Sequence, residues 1–174
     1  MKEFIFASLI LLMASTPVNA NDAYPGKIRE AIYSSIAKPL KKHMKCLTIA
    51  ADAFDVNEFI VLSVLLVEAG YQSPVRKNND GTFDHGLGQI NTVRESEIAK
   101  IGLSLKDVES DPCKNIIGTS YLLKTEIEEA KDISIGIGNY HYDLKGKWPH
   151  NHYSYRQRVF NKYLHIISIA KKHI

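Results

Sequence analysis

The chain has 174 residues, of which 45% are hydrophobic, and a formal net charge of +3 at pH 7. This length and hydrophobic content suit one compact domain with its own core. The charge is far too small for a nucleic-acid-binding surface, so we expect no nucleic-acid partner.

Residues 1–20 have the pattern of a secretory signal peptide. Lys2 supplies the positive charge, residues 4–14 form an apolar run, and residues 18–20 provide a small-residue cleavage site. The apolar run is too short to span a bilayer as a helix, and no later segment is long enough. We therefore expect an exported mature chain of residues 21–174 without a transmembrane segment. An uncleaved membrane anchor is the alternative.

Helical patterns dominate the mature chain, and we expect a mainly α single domain. Asn57 is expected to cap an almost wholly apolar helix, and Gly70 to end it in the left-handed conformation. Further N-cap signals stand at Thr92 with Glu95, Ser104 with Asp107, Asp111 before Pro112, and Asp132. The helical segments cover residues 26–37, 42–54, 58–69, 92–100, 112–130, 133–142 and 153–172.

One segment, PVRKNNDGTFDHGLGQIN (residues 74–91), is instead rich in turn formers. The dipeptide Asp80-Gly81 is a two-residue hairpin signal, so we expect a two-stranded β-hairpin directly after the apolar helix. Asp80 is explained by this turn. We assign Asp84 to orienting the loop before Gly86, since aspartate commonly braces turns.

The two cysteines, Cys46 and Cys113, are far apart in sequence and do not form a CxxC motif. An even number of cysteines in an exported protein is most simply explained by disulfide bonding. We therefore expect one structural disulfide between them.

A single carboxylate stands at the end of the apolar helix. In LLVEAG (residues 65–70), Glu68 follows a run with almost no polar group. Apolar surroundings and the negative end of the helix dipole both raise the pKa of a carboxyl group. A raised pKa suits a general acid that works near neutral pH. On this fragment alone, a glutamate that reaches water at the helix edge is an equal alternative.

The motif GLGQIN (residues 86–91) combines glycines with two neutral amides. Glycine lets the backbone approach a ligand closely, and Gln89 and Asn91 each offer a donor and an acceptor for sugar hydroxyl and N-acetyl groups. An ordinary turn followed by an N-capping Asn91 is the alternative.

The histidines give no metal motif. His150 and His152 in WPHNHY (residues 148–153) have a spacing that could chelate a metal, but no nearby acid or cysteine completes a site. We expect a solvent-exposed loop there, with no metal and no cofactor.

Four blocks in order, VEAG (67–70), NNDGTFDHGLGQIN (78–91), DPCKNIIGTSYLL (111–123) and GIGNYHY (136–142), carry a family resemblance. Together they resemble the soluble lytic transglycosylases with a lysozyme-like fold. The chain is most similar to the small exported, disulfide-bearing members that accompany type IV secretion, conjugation and pilus machines. The resemblance covers roughly residues 46–160.

The resemblance implies a role for particular residues. Glu68 matches the catalytic acid/base, Gln89 the glutamine that contacts substrate, and Asn91 the asparagine after it. Tyr140 matches the tyrosine that lines the cleft, and His141 the second position of that block. Gly86 and Leu87 open the substrate-binding motif.

The implied activity is cleavage of the β-1,4 bond between N-acetylmuramic acid (MurNAc) and N-acetylglucosamine (GlcNAc), with formation of 1,6-anhydroMurNAc. The implied partners are peptidoglycan glycan strands and subunits of a secretion or conjugation machine. The implied location is the periplasm of a Gram-negative bacterium, where we expect a monomer.

Three positions depart from the family pattern and keep other functions open. Ala69 stands where the family has serine or glycine, Gly88 replaces a methionine, and Arg76 replaces a frequent serine. A lysozyme-like hydrolase is one alternative. A non-catalytic peptidoglycan-binding assembly subunit is the other.

Overall fold

The computed structural model describes residues 26–174, so the predicted signal peptide lies outside the described residues. The helices and strands are α1 (Gly26–Ile36), α2 (Met44–Ala53), α3 (Glu58–Glu68), β1 (Val75–Lys77), β2 (Phe83–His85), β3 (Ile90–Asn91), α4 (Glu95–Ile98), α5 (Leu105–Ser110), α6 (Pro112–Ala130), α7 (Ile133–His141) and α8 (Pro149–Lys171). Short 3-10 turns cover Lys38–His43, Thr92–Arg94 and Ala99–Ile101. The expected mainly α single domain is confirmed. Between residues 26 and 174, no helix combines the length and the apolar character that crossing a membrane requires.

Helix α3 forms the centre of the core. Its residues from Glu58 to Leu66 are all buried, and α3 packs against α2 and α8. Such complete burial explains why its sequence is apolar on every face rather than along one stripe. Asn57 caps the helix as expected, because its side-chain oxygen accepts hydrogen bonds from the backbone of Phe59 and Ile60. The last residue, Glu68, is where α3 emerges from the core.

The C-terminus of α3 differs from the prediction. Ala69, not Gly70, adopts the left-handed conformation, with φ of +53°. Gly70 is needed for a different reason: a Cβ there would lie 2.0 Å from the carbonyl oxygen of Gly86. The glycine therefore permits close contact between the end of α3 and the loop that precedes β3.

The hairpin after α3 is present but is part of a larger sheet. The strands form an antiparallel sheet in the order β1-β2-β3, so the expected two-stranded hairpin is extended by a third strand. Residues 78–82 connect β1 to β2, a longer connection than the predicted two-residue turn. Asp80 braces this connection as expected, because its carboxylate accepts bonds from the backbone N–H and the hydroxyl of Thr82.

Two other local predictions are wrong. Thr92 does not cap a helix, since its hydroxyl bonds to the backbone of Phe83; Asn91 is the cap, through Val93. Helix α8 begins at Pro149, four residues before the predicted start. The predicted N-caps Ser104, Asp111 and Asp132 are confirmed.

The expected disulfide is confirmed. Cys46 in α2 and Cys113 in the first turn of α6 are bonded, with their Cα atoms 5.5 Å apart. The bond joins two helices that pack on each other. It encloses a long loop that contains α3 and the whole sheet.

Candidate active site

The end of α3, the sheet and the end of α7 enclose an open cleft of about 330 Å³. Five of the residues predicted for the site line it: Glu68, Gln89, Asn91, Tyr140 and His141. They come from three separate stretches of the sequence. The fold therefore brings together the side chains that the sequence singled out.

Glu68 is the partly buried acid of this cleft. Its pKa is raised to about 7, chiefly by burial away from water and to a smaller extent by the negative charge of Asp84. Interactions with Tyr155, Arg158 and Arg76 act in the opposite direction, but they do not outweigh burial. Near neutral pH, a substantial fraction of Glu68 therefore carries a proton that it can donate.

Behind Glu68 lies a stack of aromatic rings. The rings of His141 and Tyr155 stack with centroids 4.5 Å apart, and Tyr155 is fully buried. The Tyr155 hydroxyl lies near the carboxyl of Glu68 and lowers its pKa, but it forms no conventional hydrogen bond. Burial raises the pKa of Tyr155, so its hydroxyl remains a proton donor. The stack fixes one side of the acid.

Gln89 places one free acceptor next to the acid. Its side chain is only 6% exposed, and its Nε2 donates to the carbonyl oxygens of Ser73 and Gly86, at 3.1 and 2.8 Å. The Oε1 atom is buried without a partner in the structure. Its backbone is left-handed, with φ of +50°, a strained conformation for a non-glycine residue. A buried acceptor left unpaired is costly unless a ligand donor satisfies it.

Asn91 also lines the cleft, but its amide group is already occupied. Its Nδ2 donates to Thr82 Oγ1 at 3.0 Å and to Asp84 Oδ1 at 2.7 Å, and its Oδ1 caps the next turn through Val93. Asn91 thus holds Asp84 in place across the two strands. Asp84 itself lines the same cleft as Glu68, so the site contains a second carboxylate.

Tyr140 ties α7 to the loop between β2 and β3. Its hydroxyl donates to the carbonyl oxygen of Gly88 at 2.8 Å and lies 3.5 Å from Thr119 Oγ1. A Cβ at Gly88 would lie 1.9 Å from that same Thr119 oxygen. Thr119 therefore occupies the space that a larger residue at position 88 would need. This contact is a physical reason for glycine at position 88.

Gly86 and Leu87 do not line the cleft, in contrast to the role that the resemblance implied. Both are buried beneath it. Asn115, which no sequence pattern singled out, holds this loop: its Nδ2 donates to the carbonyl oxygens of His85 and Val108, and its Oδ1 accepts from the N–H of Gly88. The available signal was a polar residue on the buried face of α6. Glycine in this loop thus serves packing against protein rather than approach to a ligand.

A second cavity, of about 760 Å³, adjoins the cleft. Val93, Arg94, Tyr140 and His141 line both, so the two form one groove that continues along α7. Two adjoining cavities that are open to solvent suit an extended ligand better than a small compact one.

Among residues 26–174, no group of three or more His, Cys, Asp or Glu side chains is placed to hold a metal ion. His150 and His152 lie in the first turn of α8 rather than in a loop. The prediction that His152 is exposed to solvent is wrong. His152 is fully buried, and its Nδ1 lies 3.1 Å from the carbonyl oxygen of Tyr142.

No protein-family model matches the chain. The chain is similar to protein IpgF of Shigella flexneri, with 23% identity over 128 residues that cover 73% of this chain and 84% of that protein. Protein IpgF of Shigella sonnei is 22% identical over the same shares of the two chains. Neither name states an activity.

Proposed function

We propose that this protein is a peptidoglycan lytic transglycosylase that cleaves the MurNAc–GlcNAc β-1,4 bond and leaves a 1,6-anhydroMurNAc end. The observation that carries the proposal is the placement of Glu68. It stands at the end of a buried helix, its pKa is raised to about 7, and it lines an open cleft that adjoins a second cavity. The motif resemblance assigns the catalytic role to the same residue.

Glu68 performs both proton transfers in the proposed reaction. Its protonated carboxyl donates to the glycosidic oxygen, and the C1–O bond to the departing GlcNAc breaks. The muramyl C6 hydroxyl attacks C1, and the Glu68 carboxylate takes up the hydroxyl proton. No water is consumed, and the acid is returned to its starting state. An intramolecular nucleophile needs no enzymatic nucleophile, because it is already held next to the carbon it attacks.

The surrounding residues orient the sugar and the acid. The free Oε1 of Gln89 accepts a hydrogen bond from a hydroxyl or N-acetyl N–H of the bound sugar, and this pairing removes the cost of its burial. The stacked rings of His141 and Tyr155 hold the carboxyl of Glu68 on its protein side. Tyr140 fixes the loop that carries Gln89.

A lysozyme-like hydrolase is the second candidate, and Asp84 favours it. Most glycoside hydrolases use two carboxyl groups that flank the scissile glycosidic bond. Asp84 lines the same cleft as Glu68 and could supply the second one. In that reaction Glu68 remains the proton donor, and Asp84 stabilises or attacks the anomeric carbon. Water then supplies the new oxygen at C1.

The proposed setting is the periplasm of a Gram-negative bacterium, where the enzyme opens the wall locally for an envelope-spanning secretion or conjugation apparatus. The disulfide is compatible with an exported protein, since such bonds persist in oxidising compartments.

Digestion of purified sacculi in water enriched in ¹⁸O, followed by mass spectrometry of the products, tests the proposal. We expect anhydro ends without ¹⁸O from the wild type, and a loss of at least about 100-fold in Glu68→Gln. Reducing ends that contain ¹⁸O, abolished in Asp84→Asn, would indicate the hydrolase. Equal, near-zero release by wild type and Glu68→Gln would indicate a non-catalytic binding subunit.

A further inference from the structure

Two arginines act on Glu68 and form no salt bridge among residues 26–174: Arg76, which lines the cleft, and Arg158, which does not. Arg76 on β1 is exposed and lines the cleft. Its register partner on β2 is Asp84, so the two side chains leave the same face of the sheet. The carboxylate of Asp84 is nevertheless bound by Asn91, and within residues 26–174 the guanidinium of Arg76 forms no salt bridge.

Arg158 approaches the site from α8. Its guanidinium lies over the ring of Tyr155, 5.5 Å from the centroid, and Tyr155 stacks on His141, which lines the cleft. Residues 149–174 contain five lysines and arginines but no aspartate or glutamate. Its own helix therefore offers Arg158 no neutralising charge, and none of the salt bridges among residues 26–174 includes it.

Both cations are close enough to act on the acid. Each of them lowers the pKa of Glu68, against the stronger effect of burial, and each also lowers the pKa of His141. As a proton donor, Glu68 is weakened by neighbours that make it ionise more readily. Their presence is better explained by something that they bind.

We infer that Arg76 and Arg158 form an anion subsite beside Glu68 that binds a carboxylate carried by the muramyl sugar. This inference rests on the proposed function and specifies its substrate. A GlcNAc polymer is neutral, whereas muramyl glycan carries carboxylates on the 3-O-lactyl group or on the peptide attached to it. Arginine suits this ligand because its planar fork can bind a carboxylate through two hydrogen bonds. The subsite therefore distinguishes peptidoglycan from uncharged aminosugar polymers.

Binding measurements in the Glu68→Gln background, where substrate is not consumed, test the subsite. Three ligands are compared by calorimetry: a neutral GlcNAc oligomer, muramyl glycan freed of its peptides, and peptide-bearing muramyl glycan. The variants are Arg76→Gln and Arg158→Gln. Lys77→Gln and Arg156→Gln are matched controls, since each removes the same charge from the same strand or helix. Lys77 leaves the opposite face of β1 from Arg76, and Arg156 lies over Tyr153 rather than Tyr155.

We expect each of the two test variants to bind a carboxylate-bearing glycan about tenfold more weakly, with unchanged affinity for the GlcNAc oligomer and unchanged controls. Loss confined to peptide-free glycan identifies the lactyl carboxylate, and loss confined to peptide-bearing glycan identifies the peptide. Equal loss for all three ligands, or for the controls, overturns the subsite, as does no loss at all.

The two proposals can fail separately. Arginine-dependent binding by a wild type that releases no product contradicts the transglycosylase and supports the subsite. Product release by a wild type whose arginine variants keep every affinity contradicts the subsite alone. A chain that binds none of the three glycans contradicts both.

Discussion

Gly70 lies against Gly86 so closely that a Cβ at residue 70 would be 2.0 Å from the Gly86 carbonyl oxygen. That same oxygen accepts hydrogen bonds from the backbone N–H and the side-chain Nε2 of Gln89. The end of the helix that carries Glu68 is thereby packed directly on the turn that positions Gln89. The distance between the proposed acid and the free acceptor depends on this contact.

Gly70→Ala is expected to separate the helix end from the loop. The added methyl group meets backbone atoms, which cannot move aside as a flexible side chain can, and we expect a loss of about 1–3 kcal/mol in unfolding free energy. Urea denaturation measures it. Gly26→Ala is the control, because nothing lies within 4 Å of the position of its Cβ. Equal stability of the two variants would mean that the contact carries no energetic weight.

Stability should fall with rising pH because of Glu68. Its pKa is about 7 in the folded chain against an ordinary value of 4.5, so the folded state binds the proton more tightly than the unfolded state. The contribution of Glu68 to the free energy of unfolding is fully present below about pH 4.5 and is lost as the pH rises through about 7. Glu68→Gln should therefore match the wild type at about pH 3.5 and exceed it at about pH 8 by about 2 kcal/mol, after allowance for partial exposure.

Thermal unfolding at the two pH values checks this difference. Glu95→Gln, on the exposed surface, serves as the control and should follow the wild type at both. Glu58, whose pKa is also raised by burial, is present in all three proteins and cancels in the comparison. Parallel curves for wild type and Glu68→Gln would show that the acid titrates as it does in water.

Gly88 and Thr119 should be coupled. A methyl group at residue 88 collides with Thr119 Oγ1, so Gly88→Ala is expected to cost about 1–3 kcal/mol. Thr119→Ala removes the colliding oxygen, and the double variant should recover about 1–2 kcal/mol of that loss. Unfolding free energies of the four proteins in the cycle measure the coupling. Additive effects would refute the steric explanation for glycine at this position.

Reduction should destabilise the chain, whereas chelation should not. The bond between Cys46 and Cys113 has a sequence separation of 67 residues, and closing a loop of that length is worth about 4 kcal/mol in the chain-entropy model. We expect a lower melting temperature in dithiothreitol and in the double Cys→Ala variant, and no change in EDTA. An unchanged melting temperature of the reduced chain would argue against a stabilising bridge.

The sequence predicted the elements of the fold better than their ends. Asn57 and Asp111 are N-caps whose side chains act locally, so their positions could be inferred from neighbouring residues alone. The prediction that Thr92 caps a helix failed because its hydroxyl is hydrogen-bonded to the backbone of Phe83 in β2. No local sequence pattern reveals that partner. A local sequence pattern predicts a helix cap correctly when the partner of the capping side chain is also close in the sequence.

The sequence predicted residues that line the cleft but not the hydrogen bonds that each of them makes. Motif spacing identified Glu68 and Gln89, and an apolar context predicted the raised pKa of the acid. It did not show that both amide donors of Asn91 are already used or that Gly86 is buried. The first fact depends on Thr82 and Asp84 in the neighbouring part of the sheet. The second depends on Asn115, which is distant in the sequence and reaches the loop only through the packing of α6.

The placement of the disulfide has a consequence for the groove. Cys113 fastens the first turn of α6 to α2, and Asn115, two residues further along α6, accepts a hydrogen bond from the N–H of Gly88 in the loop of Gln89. Breaking the disulfide leaves packing alone to hold that turn of α6 in place. We therefore expect the order of the Gln89 loop to depend on the oxidation state of the two thiols.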